Sequence, residues 1–233
     1  MIKNTWGVVL ACGKSEQIEG GRADAAFLNL GGRPMLYHVL TALERCPEID
    51  CMAVVAEKDR LLDIQQMAAM FGYTKLRKLI AGSKQRLTVL KTVLRVIDEP
   101  NAYIGLLEVS QPLVKTSVIS DCIKKAKRYG CSVAAGPVAG SLRTAPRNTL
   151  LSARYEGEPL WVAQSPMVAR AEVLEKSLAE AERRKYRCKD EVELLEACKQ
   201  EIRLTVGSPW SLKITTSSEL GIAEALLKAN TDA

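Results

Sequence analysis

The sequence predicts an α/β protein built on a mostly parallel β-sheet with helices on both faces. The first observation is that continuous apolar strand-like runs alternate with amphipathic helical runs along most of the 233 residues. Parallel strands are buried on both faces and are joined by helical crossovers, so this alternation favours a sheet covered on two sides. The second observation is a glycine turn at Gly13, directly after the first apolar run. Such a turn is typical of a loop whose backbone N–H groups approach a phosphate.

The elements follow one another in a regular order. The predicted strands are apolar runs at Trp6–Ala11, Cys51–Ala56, Lys78–Ala81, Tyr103–Leu107, Ser132–Pro137 and Ile202–Val206. The predicted helices have apolar residues spaced by three and four, and they lie at Pro34–Arg45, Lys58–Phe71, Lys84–Ile97, Thr116–Tyr129, Arg170–Tyr186, Asp190–Lys199 and Ser217–Ala229. Pro34 and Ser217 are typical helix-start residues.

One stretch, 139–159, interrupts the alternation. It is rich in glycine and proline and holds short β-like pieces such as Thr149–Tyr155. This composition predicts an excursion from the sheet, in the form of a hairpin arm. We expect residues 1–233 to form a single domain around the sheet. Ligands of such sheets bind beyond the carboxyl ends of the strands, so the turns at 12–33, 81–86 and 108–112 are expected to line the site.

Composition excludes several classes of protein. The formal net charge of +6 suits a phosphorylated small molecule as well as nucleic acid, but aromatic residues make up only 5% and do not cluster with basic ones. No apolar run approaches the roughly 18 residues of a membrane span, and no leader pattern is visible. Seven scattered cysteines without a C-x-x-C pair argue against disulfides and zinc. We therefore expect a cytoplasmic protein that binds neither nucleic acid nor membrane.

A series of short motifs spans nearly the whole chain. They are Leu10-Ala11-Cys12-Gly13, Phe27-Leu28-x-Leu30-Gly31-Gly32-Arg33-Pro34-Met35, Ala81-Gly82-x-x-x-Arg86-x-Thr88-Val89, Leu160-Trp161-x-x-Gln164-Ser165-Pro166, Asp190-Glu191 and Leu212-Lys213-Ile214-Thr215. In this order the motifs resemble those of the 2-C-methyl-D-erythritol 4-phosphate cytidylyltransferase family. That family joins CTP to a sugar-alcohol phosphate in isoprenoid precursor synthesis. The resemblance implies a Rossmann-like three-layer sandwich with a protruding β-arm, a homodimer paired through the arm at 139–159, and Mg²⁺ as cofactor.

The resemblance also implies a nucleotide site. The backbone of Ala11, Cys12 and Gly13 would approach CTP, and Gly82 and Thr88 would recognise cytidine. The alternatives are a tight turn without a ligand at Gly13 and, at the second motif, a helix start with a serine cap and a packed Thr88.

The remaining implied roles concern catalysis and the acceptor substrate. Glu108, at a strand end, would act in catalysis as a ligand of Mg²⁺ or an acceptor for ribose, or else be a solvated glutamate. Lys213 is one cation in an apolar run, and the resemblance places it as a catalytic residue between the phosphates of the two substrates. Its alternative is a lysine pointing outward from an edge strand. Ser165 and, on the arm, Ser141 would bind the sugar phosphate, or else be solvated loop serines.

The chain departs from the family where charge is concentrated. Gln17 and Ala25 stand where the family has an arginine and a lysine that hold the triphosphate. Gln111 and Gly157 each replace an arginine, and Lys189 replaces a threonine. Removing one well-placed electrostatic donor typically lowers a rate by about 10²–10³, so these losses bear directly on activity.

Two hypotheses remain open at this point. The first is a Mg²⁺-dependent cytidylyltransferase, or a close relative acting on another phosphorylated polyol, in which Lys14, Arg22 or Arg33 supplies the missing charge. The second is a degenerate homologue that keeps the fold and serves as a non-catalytic nucleotide-binding or regulatory module. The retained Gly82, Thr88 and Lys213 favour the first hypothesis. The second is favoured by the four losses, which are at Gln17, Ala25, Gln111 and Gly157.

Overall fold

A seven-stranded sheet forms the centre of the computed structural model, which describes residues 4–12, 17–18, 23–144 and 154–231. Its strands are β1 (Thr5–Ala11), β6 (Cys51–Ala56), β7 (Leu76–Ala81), β8 (Tyr103–Glu108), β9 (Cys131–Pro137), β10 (Trp161–Arg170) and β11 (Arg203–Val206). Two short ladders precede β6, and they pair β2 (Gln17–Ile18) with β3 (Ala23–Asp24) and β4 (Asn29–Leu30) with β5 (Arg33–Pro34).

Helices cover the sheet and connect its strands. They are α1 (Met35–Glu44), α2 (Leu61–Phe71), α3 (Arg86–Ile97), α4 (Thr116–Tyr129), α5 (Ala171–Arg184), α6 (Glu191–Ala197) and α7 (Ser217–Thr231). Short 3₁₀ turns lie at Ala25–Phe27 and Lys58–Arg60. Among the described residues, none of the helices is long and apolar enough to span a membrane.

The sheet is mostly parallel, as the sequence predicts. Strand β1 lies between β6 and β8 and is parallel to both, and β7 and β11 also pair in parallel with their neighbours. Among the described strands of this sheet, only β10 runs antiparallel to its neighbours, which are β8 and β9. The order of strands is β11-β9-β10-β8-β1-β6-β7. This arrangement confirms the predicted α/β fold.

Alternate residues of β1 feed two separate hydrophobic cores. Val9 and Ala11 pack with apolar residues of α1 and α4 on one face of the sheet. Val8 and Leu10 pack with α3 and α5 on the other face. Because both faces of the strand are buried, its sequence is continuously apolar rather than alternating. The result is the predicted three-layer sandwich.

Strand β10 is where the sequence prediction was wrong. No strand was predicted at Trp161–Arg170, and the helix that follows begins at Ala171 rather than at Arg170. A proline inside a strand normally argues against a strand, because it removes a donor from the hydrogen-bond ladder. Pro166 is accommodated by a bulge, where the register with β9 shifts and the preceding peptide bond is cis.

The predicted arm joins two antiparallel neighbours in the sheet. It leaves at the end of β9 and returns at the start of β10, and the backbone of Val138 donates to the carbonyl of Leu160 at 3.0 Å. Farther out, Arg143 and Arg154 form an antiparallel bridge. Most of the β-like piece predicted at Thr149–Tyr155 lies outside the described residues. The described parts have the hairpin form that the sequence predicts.

Candidate active site

A cavity of about 560 Å³ opens at the carboxyl ends of β1, β7 and β8. Its lining residues are Leu10, Cys12, Ser83, Lys84, Arg86, Val89, Glu108, Lys189, Asp190 and Lys213. A second cavity, of about 200 Å³, shares Arg86, Glu108, Asp190 and Lys213 with the first and extends towards Gln111, Gln164, Ser165 and Glu191. The position agrees with the expectation that ligands of such a sheet bind beyond its carboxyl edge.

A chain of ion pairs crosses the floor of the two cavities. Glu108 is the last residue of β8, and its carboxylate lies between two cations: Oε1 is 3.4 Å from Nη2 of Arg86, and Oε2 is 2.5 Å from Nζ of Lys213. Nε of Arg86 in turn donates to both carboxylate oxygens of Glu191, at 2.7 and 3.0 Å. The Glu191 side chain is only 4% exposed. The network therefore ties together α3, β8, α6 and the segment before α7.

The bulge in β10 holds the end of β8 in place. The backbone N–H of Glu108 donates to Oγ of Ser165 at 2.9 Å, and the backbone N–H of Ser165 donates to Oε1 of Gln111 at 2.5 Å. Ser165 and Gln111 are both buried. The sequence predicted Ser165 as a ligand of the sugar phosphate, and the structure brings it to the second cavity with its hydroxyl already engaged by Glu108.

Lys213 reaches the cavity from a braced segment. Gln164 donates from Nε2 to the carbonyl of Ser208 at 3.1 Å and accepts from the Ser208 N–H at 3.2 Å. A Cβ atom on Gly207 would overlap Oε1 of Gln164, so this pairing needs a glycine there. The backbone of Ile214 donates to the carbonyl of Ser110 at 2.8 Å. Lys213 thus lies between β11 and α7 rather than on an edge strand, which removes the alternative left open by the sequence.

Gly82 and Cys12 pack directly against each other. The Cys12 side chain is buried, lines the cavity and has its sulfur 3.7 Å from the carbonyl of Ser83. A Cβ atom on Gly82 would overlap that sulfur. The absence of a side chain at 82 is therefore required by packing within the protein. A role in admitting cytidine stays a prediction.

Three other predicted site residues, all of them described in the structure, do not line the cavity. Thr88 is exposed on α3 and donates to Oε1 of Gln85 at 3.2 Å. Ala11 packs into the core on the opposite face of the sheet, so only its backbone is available to a ligand. Ser141 is exposed at the base of the arm. Gly13 lies outside the described residues.

The carboxylate proposed as a metal ligand is already paired. Both oxygens of Glu108 face cations, and the described residues hold no group of three or more His, Cys, Asp or Glu side chains arranged to bind a metal. Mg²⁺ prefers an open oxygen ligand, usually completed by phosphates and water. In this arrangement Glu108 does not fit that requirement.

The positions that lost their cations are constrained by the fold. Ala25 is fully buried in the 3₁₀ turn, whose start is capped by Asp24 accepting from the Ala26 N–H at 3.0 Å. Burial raises the pKa of Asp24. The guanidinium carbon of Arg33 lies 5.6 Å from the ring centre of Tyr37, in a stack away from the cavity lining. Arg33 thus does not line the cavity formed by the described residues, and its suggested role as a replacement cation stays a prediction.

Other predicted positions belong to the same loop or to the arm. Gln17 is described by its backbone alone, which pairs with Asp24, and Lys14 and Arg22 lie outside the described residues. Gly157, where the family has an arginine, lies beside the ring of Tyr155 in the described end of the arm. The cations that do line the cavity include Lys84 and Lys189, neither of which the sequence suggested as a replacement.

The single histidine has a structural place. Nε2 of His38 is 2.8 Å from the carbonyl oxygen of Leu30, and burial lowers the pKa of His38 below its usual 6.5. A neutral imidazole that donates to this carbonyl ties α1 to the β4–β5 ladder. It lies outside both cavities at the carboxyl edge.

Comparison with known proteins identifies the class and then the family. The sequence profile described as IspD, 2-C-methyl-D-erythritol 4-phosphate cytidylyltransferase, matches residues 6–229. The chain therefore belongs to this family of nucleotidyltransferases.

Relatives and solved structures agree with that assignment. A 2-C-methyl-D-erythritol 4-phosphate cytidylyltransferase of Alkaliphilus metalliredigens is 26% identical and covers 97% of this chain and 93% of its own length. One from Dehalococcoides mccartyi strain 195 is 27% identical, with 95% coverage of both chains. The crystal structure of 4-diphosphocytidyl-2C-methyl-D-erythritol synthase from Anaerococcus prevotii has a TM-score of 0.82 at 17% identity, covering 97% of this chain and 96% of its own. The structural likeness supports the same fold.

The buried pair of Arg86 and Glu191 yields a prediction about stability. Changing Glu191→Gln removes the closer of the two carboxylates that pair with Arg86, and breaking a buried ion pair typically costs about 3–5 kcal/mol. We expect a clear fall in the free energy of unfolding, measured by urea denaturation. The matched control is Glu182→Gln, which breaks an exposed pair with Lys91 and should cost under about 1 kcal/mol. Equal effects of the two substitutions would contradict the assigned burial.

Proposed function

We propose that this chain is a homodimeric cytidylyltransferase that transfers CMP from CTP to 2-C-methyl-D-erythritol 4-phosphate. The observation that carries the proposal is the Glu108–Lys213 pair in a chain of this family. The pair lines a cavity at the carboxyl edge of the sheet, where such sheets bind their ligands. A close relative of the acceptor, another phosphorylated polyol, fits the same chemistry. The single-domain organisation and the cytoplasmic location stay predictions.

The reaction asks for position and charge rather than a covalent nucleophile. An oxygen of the acceptor phosphate attacks the α-phosphorus of CTP, a new P–O bond forms, and the bond to the β-phosphate breaks to release pyrophosphate. The acceptor phosphate and CTP are both anionic, and negative charge spreads over the transferring group in the transition state. Fixed cations that offset this charge, together with exclusion of water, therefore supply most of the catalysis.

Lys213 is the residue that this proposal places nearest to the reacting phosphates. Its ammonium group lines both cavities and is 36% exposed, so an anionic ligand can reach it. Glu108 and the braced loop limit where the ammonium can lie. We assign Lys213 the electrostatic role and Glu108 the role of orienting it, which is a narrower role than that of a metal ligand.

Membership of the family is the reason for proposing CTP and a divalent metal. Cys12 and Ser83, at the ends of β1 and β7, both line the cavity, which suits a base and ribose. Thr88 and Ser141 keep their predicted roles only if a bound ligand extends beyond the lining residues. The family typically uses a divalent metal, so the assay described below contains Mg²⁺.

The competing proposal is a non-catalytic nucleotide-binding or regulatory homologue. Its specific support is that Ala25 is fully buried and that Arg33 stacks on aromatic rings. A lysine at position 25 would have to leave its ammonium inside the core or rearrange the turn. The substitution Ala25→Lys, which restores the family's lysine, is therefore not expected to raise activity unless the turn rearranges.

Turnover distinguishes the two proposals. Pyrophosphate release is measured with CTP, 2-C-methyl-D-erythritol 4-phosphate and Mg²⁺, and calorimetry compares binding of CTP with binding of ATP, GTP and UTP. We expect turnover that Lys213→Ala lowers by about 10²–10³, because one fixed charge is lost at the reacting centre. The control Lys176→Ala removes a lysine of an exposed pair on α5 and should leave the rate unchanged. Selective binding of CTP without turnover would favour the non-catalytic homologue, and equal binding of all four nucleotides would sink the cytidine assignment.

The arm yields a prediction about assembly. Its base is built as a hairpin on β9 and β10, and the family resemblance implies that the arm pairs two subunits. We expect a dimer at micromolar concentration and a monomer when residues 141–157 are replaced by a short Gly-Ser linker, both measured by light scattering. A full-length chain that stays monomeric would refute the arm as the site of dimerisation.

A further inference from the structure

We infer that Gln164 is a positioning residue, which holds the ammonium group of Lys213 in place at the floor of the cavity. Because Lys213 is the residue assigned to the reacting phosphates, this role rests on the proposed function. Gln164 is given no contact with a substrate. Its side chain acts on the backbone of the segment that carries Lys213.

The Gln164 side chain bridges a whole strand. Gln164 lies on β10 and Ser208 follows β11, and β9 lies between these two strands. Neighbouring strands are about 4.8 Å apart, so a long side chain is needed to cross β9. Nε2 donates to the carbonyl of Ser208 at 3.1 Å, and Oε1 accepts from the Ser208 N–H at 3.2 Å. The side-chain amide thus supplies the donor and the acceptor that a neighbouring strand would supply.

Two glycines leave room for this side chain. A Cβ atom on Gly207 would be 2.0 Å from Oε1 of Gln164, and one on Gly136 would be 3.1 Å from its Nε2. The carbonyl of Ala135, also at 3.1 Å, adds a smaller restriction at position 207. Neither glycine adopts the left-handed backbone conformation that favours glycine. The path of the Gln164 side chain therefore explains why both positions lack a side chain.

A short turn connects Ser208 to Lys213. The Ser208 carbonyl also accepts from the Ser211 N–H at 3.0 Å. One residue beyond Lys213, the N–H of Ile214 donates to the carbonyl of Ser110 at 2.8 Å. Lys213 thus lies on a short segment that is fixed at both ends, and Gln164 fixes the end nearer to β11.

Consecutive residues of β10 hold the two halves of the ion pair. The hydroxyl of Ser165 accepts from the Glu108 N–H at 2.9 Å, while Gln164 fixes the segment of Lys213. Nζ of Lys213 lies 2.5 Å from Oε2 of Glu108. Because displacements of about 1 Å can be costly to catalysis, holding both partners from one strand is a means of keeping the charge in place.

The first test measures the reactivity of Lys213 and needs no turnover. The full chain, Gln164→Leu and the matched control Gln200→Leu are treated with N-acetoxysuccinimide. Mass spectrometry follows acetylation of Lys213 against the exposed Lys176 of the same chain. Gln164→Leu removes both hydrogen bonds, and we expect acetylation of Lys213 to be about fivefold faster, because an ammonium released from Glu108 is more available. Gln200 is exposed and lines neither cavity, so its variant should match the wild type.

A second set of variants disturbs the same contact and leaves Gln164 unchanged. Gly207→Ala should resemble Gln164→Leu, because the added Cβ occupies the place of Oε1, and Gly136→Ala should have a smaller effect, since Nε2 can shift. Thermal melts check that each variant is folded. In the assay of pyrophosphate release, Gln164→Leu and Gly207→Ala should lower kcat about tenfold or more and leave KM for CTP nearly unchanged, because the misplaced charge acts in the transition state.

The outcomes separate the role of Gln164 from the proposed function. Unchanged acetylation of Lys213 in folded Gln164→Leu and Gly207→Ala, or an equal rise in Gln200→Leu, would overturn the positioning role and leave the cytidylyltransferase proposal standing. Faster acetylation with unchanged kcat, whether or not KM rises, would also overturn it, since the reaction would not depend on where the ammonium lies. A wild type without turnover, together with faster acetylation in Gln164→Leu, would support the positioning role and count against the cytidylyltransferase.

Discussion

The carboxylate of Glu108, held between Arg86 and Lys213, is the interaction on which the site depends. A carboxylate at the end of a buried strand needs compensation for its lost hydration, and two cations supply it. Because Arg86 is also fixed by Glu191, the end of β8 is coupled to α3, α6 and the loop before α7. The charged side chains that line the cavity therefore hold one another in place as one connected set of ion pairs.

Much of the fold followed from the sequence because burial on both faces leaves a clear pattern. The continuous apolar run of β1 predicted a central parallel strand, and its alternate residues do enter two cores. Strand β10 escaped prediction because Pro166 reads as a breaker, and only the bulge opposite β9 reconciles the proline with the ladder. A bulge depends on the neighbouring strand, so the local sequence does not reveal it.

The location of the candidate site was predictable from the sequence, whereas the ion pairs within it were less so. Glu108 and Lys213 were singled out from a strand end and an apolar run, and the structure brings them together. Glu191 was visible only as part of a motif, because its role comes from a partner 105 residues away in the chain. Lys84, which also lines the cavity, was overlooked because an exposed lysine carries no pattern of its own, and Lys189 was noted only as the replacement of a threonine. The buried environment of Ala25 likewise appears only once the turn is packed.

The coupling free energy between Glu108 and Glu191 tests the ion-pair network most directly. Urea unfolding of the wild type, Glu108→Gln, Glu191→Gln and the double variant gives a double-mutant cycle for two residues that both contact Arg86. The account predicts a coupling free energy of about 0.5–3 kcal/mol, because each carboxylate compensates the same guanidinium. Effects that add to within about 0.3 kcal/mol would show that the two carboxylates act independently and would contradict the connected network.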